Sequence, residues 1–173
     1  EAMTHAVEGA AELAPLVERA TVLAVGPGLG QGAWGQSLYH AAVACGRPLV
    51  LDADALNLLA AEPIALPQAI LTPHPGEAAR LLGRDKAEIQ ADRFGAAEAL
   101  SQKFRCVVVL KGAGTIVAAP GEVPAVIGAG NPGMATGGMG DVLSGVIAAL
   151  VAQGLPLFQA AVAGALLHSA AGD

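Results

Sequence analysis

Four groups of residues in this 173-residue chain have the types and spacing for chemistry on a phosphate group. The densest is N-P-G-M-A-T-G-G-M-G-D-V-L-S-G, residues 131–145, where Gly137, Gly138 and Gly140 precede a single carboxylate, Asp141, at the start of an apolar run. Glycines let consecutive backbone N–H groups turn toward one point without Cβ obstruction. The unpaired N–H groups and dipole of a following helix favour an anion at that point. An Asp at a helix start is ordinarily a cap worth ~1 kcal/mol, but a cap has no need of three glycines ahead of it, so Asp141 is placed beside a bound phosphate.

The second group is Lys111, Gly112, Ala113, Gly114 and Thr115, which follows the most hydrophobic strand signal and can bring an ammonium and backbone N–H groups to phosphates; a basic residue in a plain hairpin turn is the alternative. The third is T-P-H-P-G-E, residues 72–77, with His74 held rigidly between two prolines and Glu77 in the first turn of a helix, where the dipole alone welcomes a carboxylate. The fourth is L-D-A-D-A-L-N, residues 51–57, whose Asp52 and Asp54 could bind a metal, take up a proton or cap the next helix; capping accounts for at least one of them. Upstream lies V-G-P-G-L-G, residues 25–30. There Gly30-x-Gly32-x-x-Gly35 satisfies the dinucleotide fingerprint as a pattern, with Asp52 or Asp54 at a plausible distance for a ribose-binding acid. That fingerprint expects its first glycine to leave the strand directly, whereas residues 26–29 intervene; a tight strand-to-helix turn fits better.

The elements that must position these groups follow from hydrophobic runs and breakers. Helices are expected over residues 9–20 and 33–45, from about 52, from 77 through 82, as one long segment over 87–103, and after Asp141. Short buried strands are expected at 21–25, 48–51, 69–72, 106–110, 116–119 and 123–127. In the last helix Val142, Leu143, Val146, Ile147, Leu150 and Val151 read as the buried stripe, with Ser144, Gly145, Ala148 and Ala149 opposite. Strand–helix alternation predicts a layered α/β fold with a mostly parallel sheet flanked by helices, and the two strands after Cys106 add an antiparallel edge. Ligands in such sheets sit at the carboxyl ends of the strands. The segments beginning at Gly26, Asp52, His74 and Lys111 all follow strands and so are expected on one rim.

Composition limits the partners. With 54% hydrophobic and 14% charged residues, most elements are covered on more than one side. A net charge of −6 argues against a nucleic acid held through its phosphates, though not against a single nucleotide held by local N–H groups. No run approaches ~18 apolar residues, so no membrane span is expected. The start of the chain lacks the pattern of a secretory signal and reads as the interior of a domain. Cys45 and Cys106 have no metal-like spacing and read as reduced core thiols of a cytosolic, cytoplasmic protein.

Taken in order, V-G-P-G-L-G, L-D-A-D-A-L-N, T-P-H-P-G-E, V-L-K-G-A-G-T and N-P-G-M-A-T-G-G-M-G-D-V-L-S-G resemble the ADP/ATP-dependent NAD(P)H-hydrate dehydratases, a carbohydrate-kinase-like branch of the ribokinase superfamily. The resemblance implies a single ribokinase-like domain over 1–173, incomplete at both ends relative to the family. It also implies repair of hydrated NADH or NADPH in the S-form with ADP or ATP as co-substrate and Mg²⁺ as cofactor. By the same resemblance Lys111, Gly112, Ala113, Gly114, Thr115, Gly138 and Gly140 contact the adenine nucleotide. Gly28, Gly30, Asp54, His74 and Asp141 contact the hydrated dinucleotide. Asp141 is the catalytic base, and Glu77 orders magnesium through water. A homo-oligomer and an epimerase, fused or separate, are implied as partners. Met139 departs from the small or polar residue expected between the last glycines. A sugar or vitamin kinase of the same superfamily and a non-catalytic nucleotide-binding module are the competing readings.

Overall fold

A computed structural model describes residues 3–173. Six strands form one sheet in sequence order: β1 (Leu23–Val25), β2 (Leu49–Leu51), β3 (Ala69–Leu71), β4 (Val107–Leu110), β5 (Thr115–Ala118) and β6 (Ala125–Ile127). β1 to β4 run parallel, and β4–β5–β6 form the expected antiparallel extension. The helices are α1 (Ala10–Arg19), α2 (Ala33–Ala44), α3 (Ala53–Ala61), α4 (Pro75–Leu82), α5 (Lys86–Ala91), α6 (Arg93–Phe104), α7 (Met139–Ala152) and α8 (Leu157–Gly172).

Strand alternation builds two cores. Leu49, Leu51, Ala69, Leu71, Val108, Leu110, Ile116 and Ala118 face one side, where Tyr39, Leu56, Leu59, Leu81, Leu100 and Phe104 of the crossover helices cover them. Val50, Ile70, Val107, Val109 and Val117 face the other side, against Leu143 and Ile147 of α7 and Ala161 and Ala165 of α8. Since β1 to β4 advance in one direction across the sheet, right-handed crossovers place α2, α3 and the α4–α6 connection on the same face. The opposite face is left for α7 and α8. Gly164 lets these two helices meet, because a Cβ there would come within 2.6 Å of Ile147 Cγ1.

Two local readings are corrected, and one helix is added. The segment expected as one helix over 87–103 is two, α5 and α6, because Asp92 leaves helical geometry (φ −138°, ψ 79°) and its side chain accepts from Gly95 N to start α6. The buried face of α7 is Leu143, Ser144 and Ile147, while Val142 is 55% exposed; the stripe is rotated so that a hydroxyl, not Val142, points inward. Helix α8 gave no periodic signal because it is apolar or small almost all round.

Cys106 is buried and Cys45 partly so, both as free thiols. Burial pushes the Cys106 thiol up to about 12. Because the thiolate is the nucleophile, Cys106 stays protonated and unreactive at pH 8. Brief iodoacetamide treatment of the native chain is expected to label Cys45 ahead of Cys106, with Cys106 modified only after denaturation, as read by peptide mass spectrometry.

Candidate active site

The strand ends meet on one rim through a ladder of backbone bonds. Asp52 N donates to Val25 O, Thr72 N to Leu51 O and Lys111 N to Pro73 O. These bonds bring the ends of β1, β2, β3 and β4 side by side, as expected of the segments beginning at Gly26, Asp52, His74 and Lys111. The close approach of the first two requires a glycine: a Cβ on Gly26 (φ +133°) would lie 1.7 Å from Asp52 O. Gly28 (φ +68°) has open space instead. Gly26→Ala is expected to destabilise the fold by about 3 kcal/mol or more through overpacking and backbone strain. Gly28→Ala should cost about 1 kcal/mol for its left-handed backbone alone, and urea denaturation midpoints compare the two.

At the floor of the rim is a buried polar chain. Lys111 Nζ donates to Asp52 Oδ1 at 2.8 Å, and the Asp52 and Lys111 side chains are 3% and 21% exposed. Ser144 Oγ, from the inward face of α7, donates to Asp52 Oδ2 at 3.2 Å. Thr72 Oγ1 lies 3.4 Å from Ser144 Oγ and donates to Leu51 O. Asp52 also accepts from Ala53 N, and Ala53 holds a left-handed φ of +47° to start α3 there. A non-glycine residue pays ~1 kcal/mol or more for that conformation, consistent with strain kept where a carboxylate must be aimed.

Above the floor stands the start of α7. Its N-cap, Gly138, is left-handed (φ +89°), and the N–H groups of Gly137, Gly138, Gly140 and Asp141 have no acceptor among the described residues. A Cβ on Gly140 would lie 3.2 Å from both Asp52 Oδ2 and Lys111 Nζ, so the helix start rests directly over the ion pair. Ahead of it Asn131 accepts from Gly133 N to form a 3₁₀ turn, Pro132–Met134. Asp141 is exposed in the first turn of α7, and its carboxylate makes no hydrogen bond or ion pair among the described residues. Opposite, the β4–β5 loop presents the N–H groups of Gly112, Ala113 and Gly114, likewise without acceptors, while Thr115 Oγ1 donates to Gly112 O. Two clusters of open N–H groups flank one ammonium, an arrangement suited to a polyphosphate.

A second wall carries the other expected residues. Asp54 accepts from Gly30 N at 2.9 Å and from Gln31 Nε2 at 3.1 Å, which ties the glycine loop after β1 to α3. The fingerprint reading of that loop gains no support: Gly35 packs against it, a Cβ there coming within 2.3 Å of Gly30 O, and Asp54 is engaged by the loop itself. His74 caps α4, its Nδ1 accepting from Gly76 N and Glu77 N, while Glu77 Oε2 accepts from His74 N at 2.7 Å. With Nδ1 an acceptor, the neutral imidazole carries its proton on Nε2, 3.6 Å from Glu77 Oε1. The His74 side chain is 57% exposed and Glu77 is buried. No group of three or more His, Cys, Asp or Glu side chains able to hold a metal occurs among the described residues.

The family model described as NAD(P)H-hydrate dehydratase matches residues 1–173. The chain belongs to the NAD(P)H-hydrate dehydratase family. It is 53% identical over 173 residues to the bifunctional NAD(P)H-hydrate repair enzyme Nnr of Coxiella burnetii, covering all of this chain and 36% of that one. It is 49% identical over 160 residues to the ADP-dependent (S)-NAD(P)H-hydrate dehydratase of Neisseria meningitidis, covering 89% of this chain and 54% of the relative. Among solved structures, the ADP/ATP-dependent NAD(P)H-hydrate dehydratase of Bacillus subtilis, co-crystallized with ATP/Mg²⁺ and soaked with CoA, superposes with a TM-score of 0.77 at 32% identity. That superposition covers 87% of this chain and 55% of the other. The chain thus spans between a third and about half of the length of these relatives.

Within this dehydratase-family chain the structure gathers Lys111, the 112–114 loop and Gly140 around one floor, and joins Gly30 to Asp54 and His74 to Glu77 in the adjoining wall. Sequence reasoning missed the partners beneath them. Local sequence leaves Asp52 open between metal, proton and cap, and the apolar pattern of α7 puts Ser144 on the outer face, whereas the structure buries it against Asp52. The available signal was a buried-strand ending in a carboxylate, paired with a lysine ending the neighbouring apolar strand.

Proposed function

We propose that this chain forms the reaction centre of an enzyme that dehydrates S-form hydrated NADH or NADPH to the reduced dinucleotide, consuming ADP or ATP. The observation that carries this reading is the buried Asp52–Lys111 pair directly beneath Gly140, flanked by two sets of unpaired N–H groups and next to the unpartnered carboxylate of Asp141. The nucleotide lies across Lys111, Gly112, Ala113, Gly114 and Thr115, with its terminal phosphoryl group at the open N–H groups of Gly138 and Gly140. The hydrated ring approaches from the wall of Gly28, Gly30, Asp54 and His74.

Asp141 takes the proton from the ring hydroxyl as that oxygen attacks the terminal phosphorus, and the bond from phosphorus to the nucleotide's bridging oxygen breaks. The ring then expels the new phosphoester oxygen as inorganic phosphate with cleavage of its carbon–oxygen bond, and loss of a neighbouring proton restores the ring double bond. Hydroxide leaves badly and phosphate well, which is what the nucleotide is consumed for. Charge on the phosphoryl oxygens is met by N–H groups at the start of α7 and by Lys111. Glu77, in contact with His74, would order water around a Mg²⁺ ion, which would supply further charge neutralisation.

The whole enzyme is proposed to act in the cytoplasm as a homo-oligomer, with an epimerase, fused or separate, supplying the S-form. The test is to give the protein hydrated NADH, Mg²⁺ and either ADP or ATP and follow the recovery of reduced-nicotinamide absorbance. A stable phosphoester product would instead indicate a kinase. Nucleotide binding without turnover would indicate a binding module.

A further inference from the structure

Arg93, the first residue of α6, makes contacts that the proposed chemistry does not use. Its Nη1 donates to Ala113 O and its Nη2 to Leu110 O, at 3.3 Å for the latter, so one guanidinium holds carbonyls at both ends of the β4–β5 loop. The guanidinium also lies against the loop itself, since a Cβ on Gly112 would come within 2.8 Å of Nη2. Its Nε is buried without a partner, and desolvation lowers the pKa of the group, which nevertheless stays charged. Burying a donor unpaired is unfavourable, so filling space does not explain an arginine here. A fixed fork that can reach two carbonyls at once does.

The loop's peptide geometry gives the fork a purpose. In a trans peptide the C=O and the following N–H point in opposite directions. The peptide after Leu110 follows this: its carbonyl faces Arg93 and the N–H of Lys111 donates to Pro73 O at 2.9 Å. The peptide after Ala113 has the same anchor, but its N–H, that of Gly114, has no acceptor among the described residues. We infer that Arg93 is a positioning residue for the adenine nucleotide: by fixing the Leu110 and Ala113 carbonyls it aims the loop, and the Gly114 N–H in particular, at the nucleotide's phosphates. The inference rests on the proposed nucleotide role of this loop.

The test is calorimetric titration of ADP into the wild-type chain and into Arg93→Ala, Arg93→Gln and Arg93→Lys, which requires no turnover, followed by KM values for each substrate. Arg93→Ala should weaken ADP binding about tenfold or more while the KM for hydrated NADH stays within about twofold. Arg93→Lys and Arg93→Gln, unable to fork to both carbonyls, should fall between, and millimolar guanidinium should restore ADP affinity to Arg93→Ala. Should Arg93→Ala fail to fold, the other two variants carry the comparison. A wild-type chain that binds ADP beside variants that bind it equally well overturns this inference alone, as does an equal loss for both substrates. A wild-type chain that binds neither ADP nor ATP overturns the functional reading and this inference with it.

Discussion

Asp141→Asn should lower turnover of hydrated NADH by about 10²–10⁴-fold, the usual worth of a positioned general base, with little change in folding or in ADP affinity. The separation is expected because the Asp141 carboxylate is exposed and makes no hydrogen bond or ion pair among the described residues. Its only structural contribution is its place in the first turn of α7, and losing the favourable interaction with the helix dipole there costs about 0.3–1 kcal/mol. Asparagine keeps the size but cannot accept the proton. Steady-state rates beside a urea denaturation curve and an ADP titration make the check. If Asp141 served only the helix dipole, stability would fall slightly and turnover would stay.

Lys111→Met should act on stability and activity together. Asp52 is almost fully buried, and its ammonium partner sits 2.8 Å away. Removing one partner from a buried ion pair typically costs about 3–5 kcal/mol, because the remaining charge has no water to turn to. Ser144 Oγ and Ala53 N still donate to Asp52, which places the expected loss at the lower end of that range. Adding Asp52→Asn to Lys111→Met removes the stranded charge and should restore much of the stability while leaving nucleotide affinity low. A double-mutant cycle on denaturation midpoints and ADP affinity separates the two effects. Recovery of ADP affinity in the double variant would mean that Lys111 serves only to neutralise Asp52.

The strands of the fold were legible as short apolar runs close to Gly, Pro or Asp; L-A-V at 23–25, followed by Gly26, and L-V-L at 49–51, followed by Asp52, are examples. The parallel pairing and the antiparallel edge followed from the connections, with helices between the first four strands and a tight loop after Leu110, whereas the order of the strands is seen only in the structure. Where local and tertiary preferences diverged, the sequence misled. Asp92 lies inside a helical pattern, yet its carboxylate caps Gly95 N and breaks the segment in two. In α7 the apolar count favoured burying Val142, but the buried site is set by Asp52, which offers Ser144 an acceptor from 92 residues away.

The candidate site divides in the same way. Glycine density before Asp141 and the position of Lys111 at a strand end are local facts. What Lys111 rests on, and why residue 140 has little room for a side chain, depend on a contact spanning 59 residues. No local pattern announces Arg93, whose partners lie 17 and 20 residues further on. His74 illustrates a reading that local sequence left even: its Nδ1 is occupied as a helix cap, while the rest of the ring stays exposed on the rim.

The central claim is that the ring hydroxyl is phosphorylated and leaves as phosphate. Hydrated NADH carrying ¹⁸O in that hydroxyl, turned over with unlabelled ADP and Mg²⁺, tests it in one measurement by mass spectrometry of the released phosphate. The account predicts one ¹⁸O atom in each phosphate formed and none in water. Label appearing in water, with phosphate unlabelled, would contradict it.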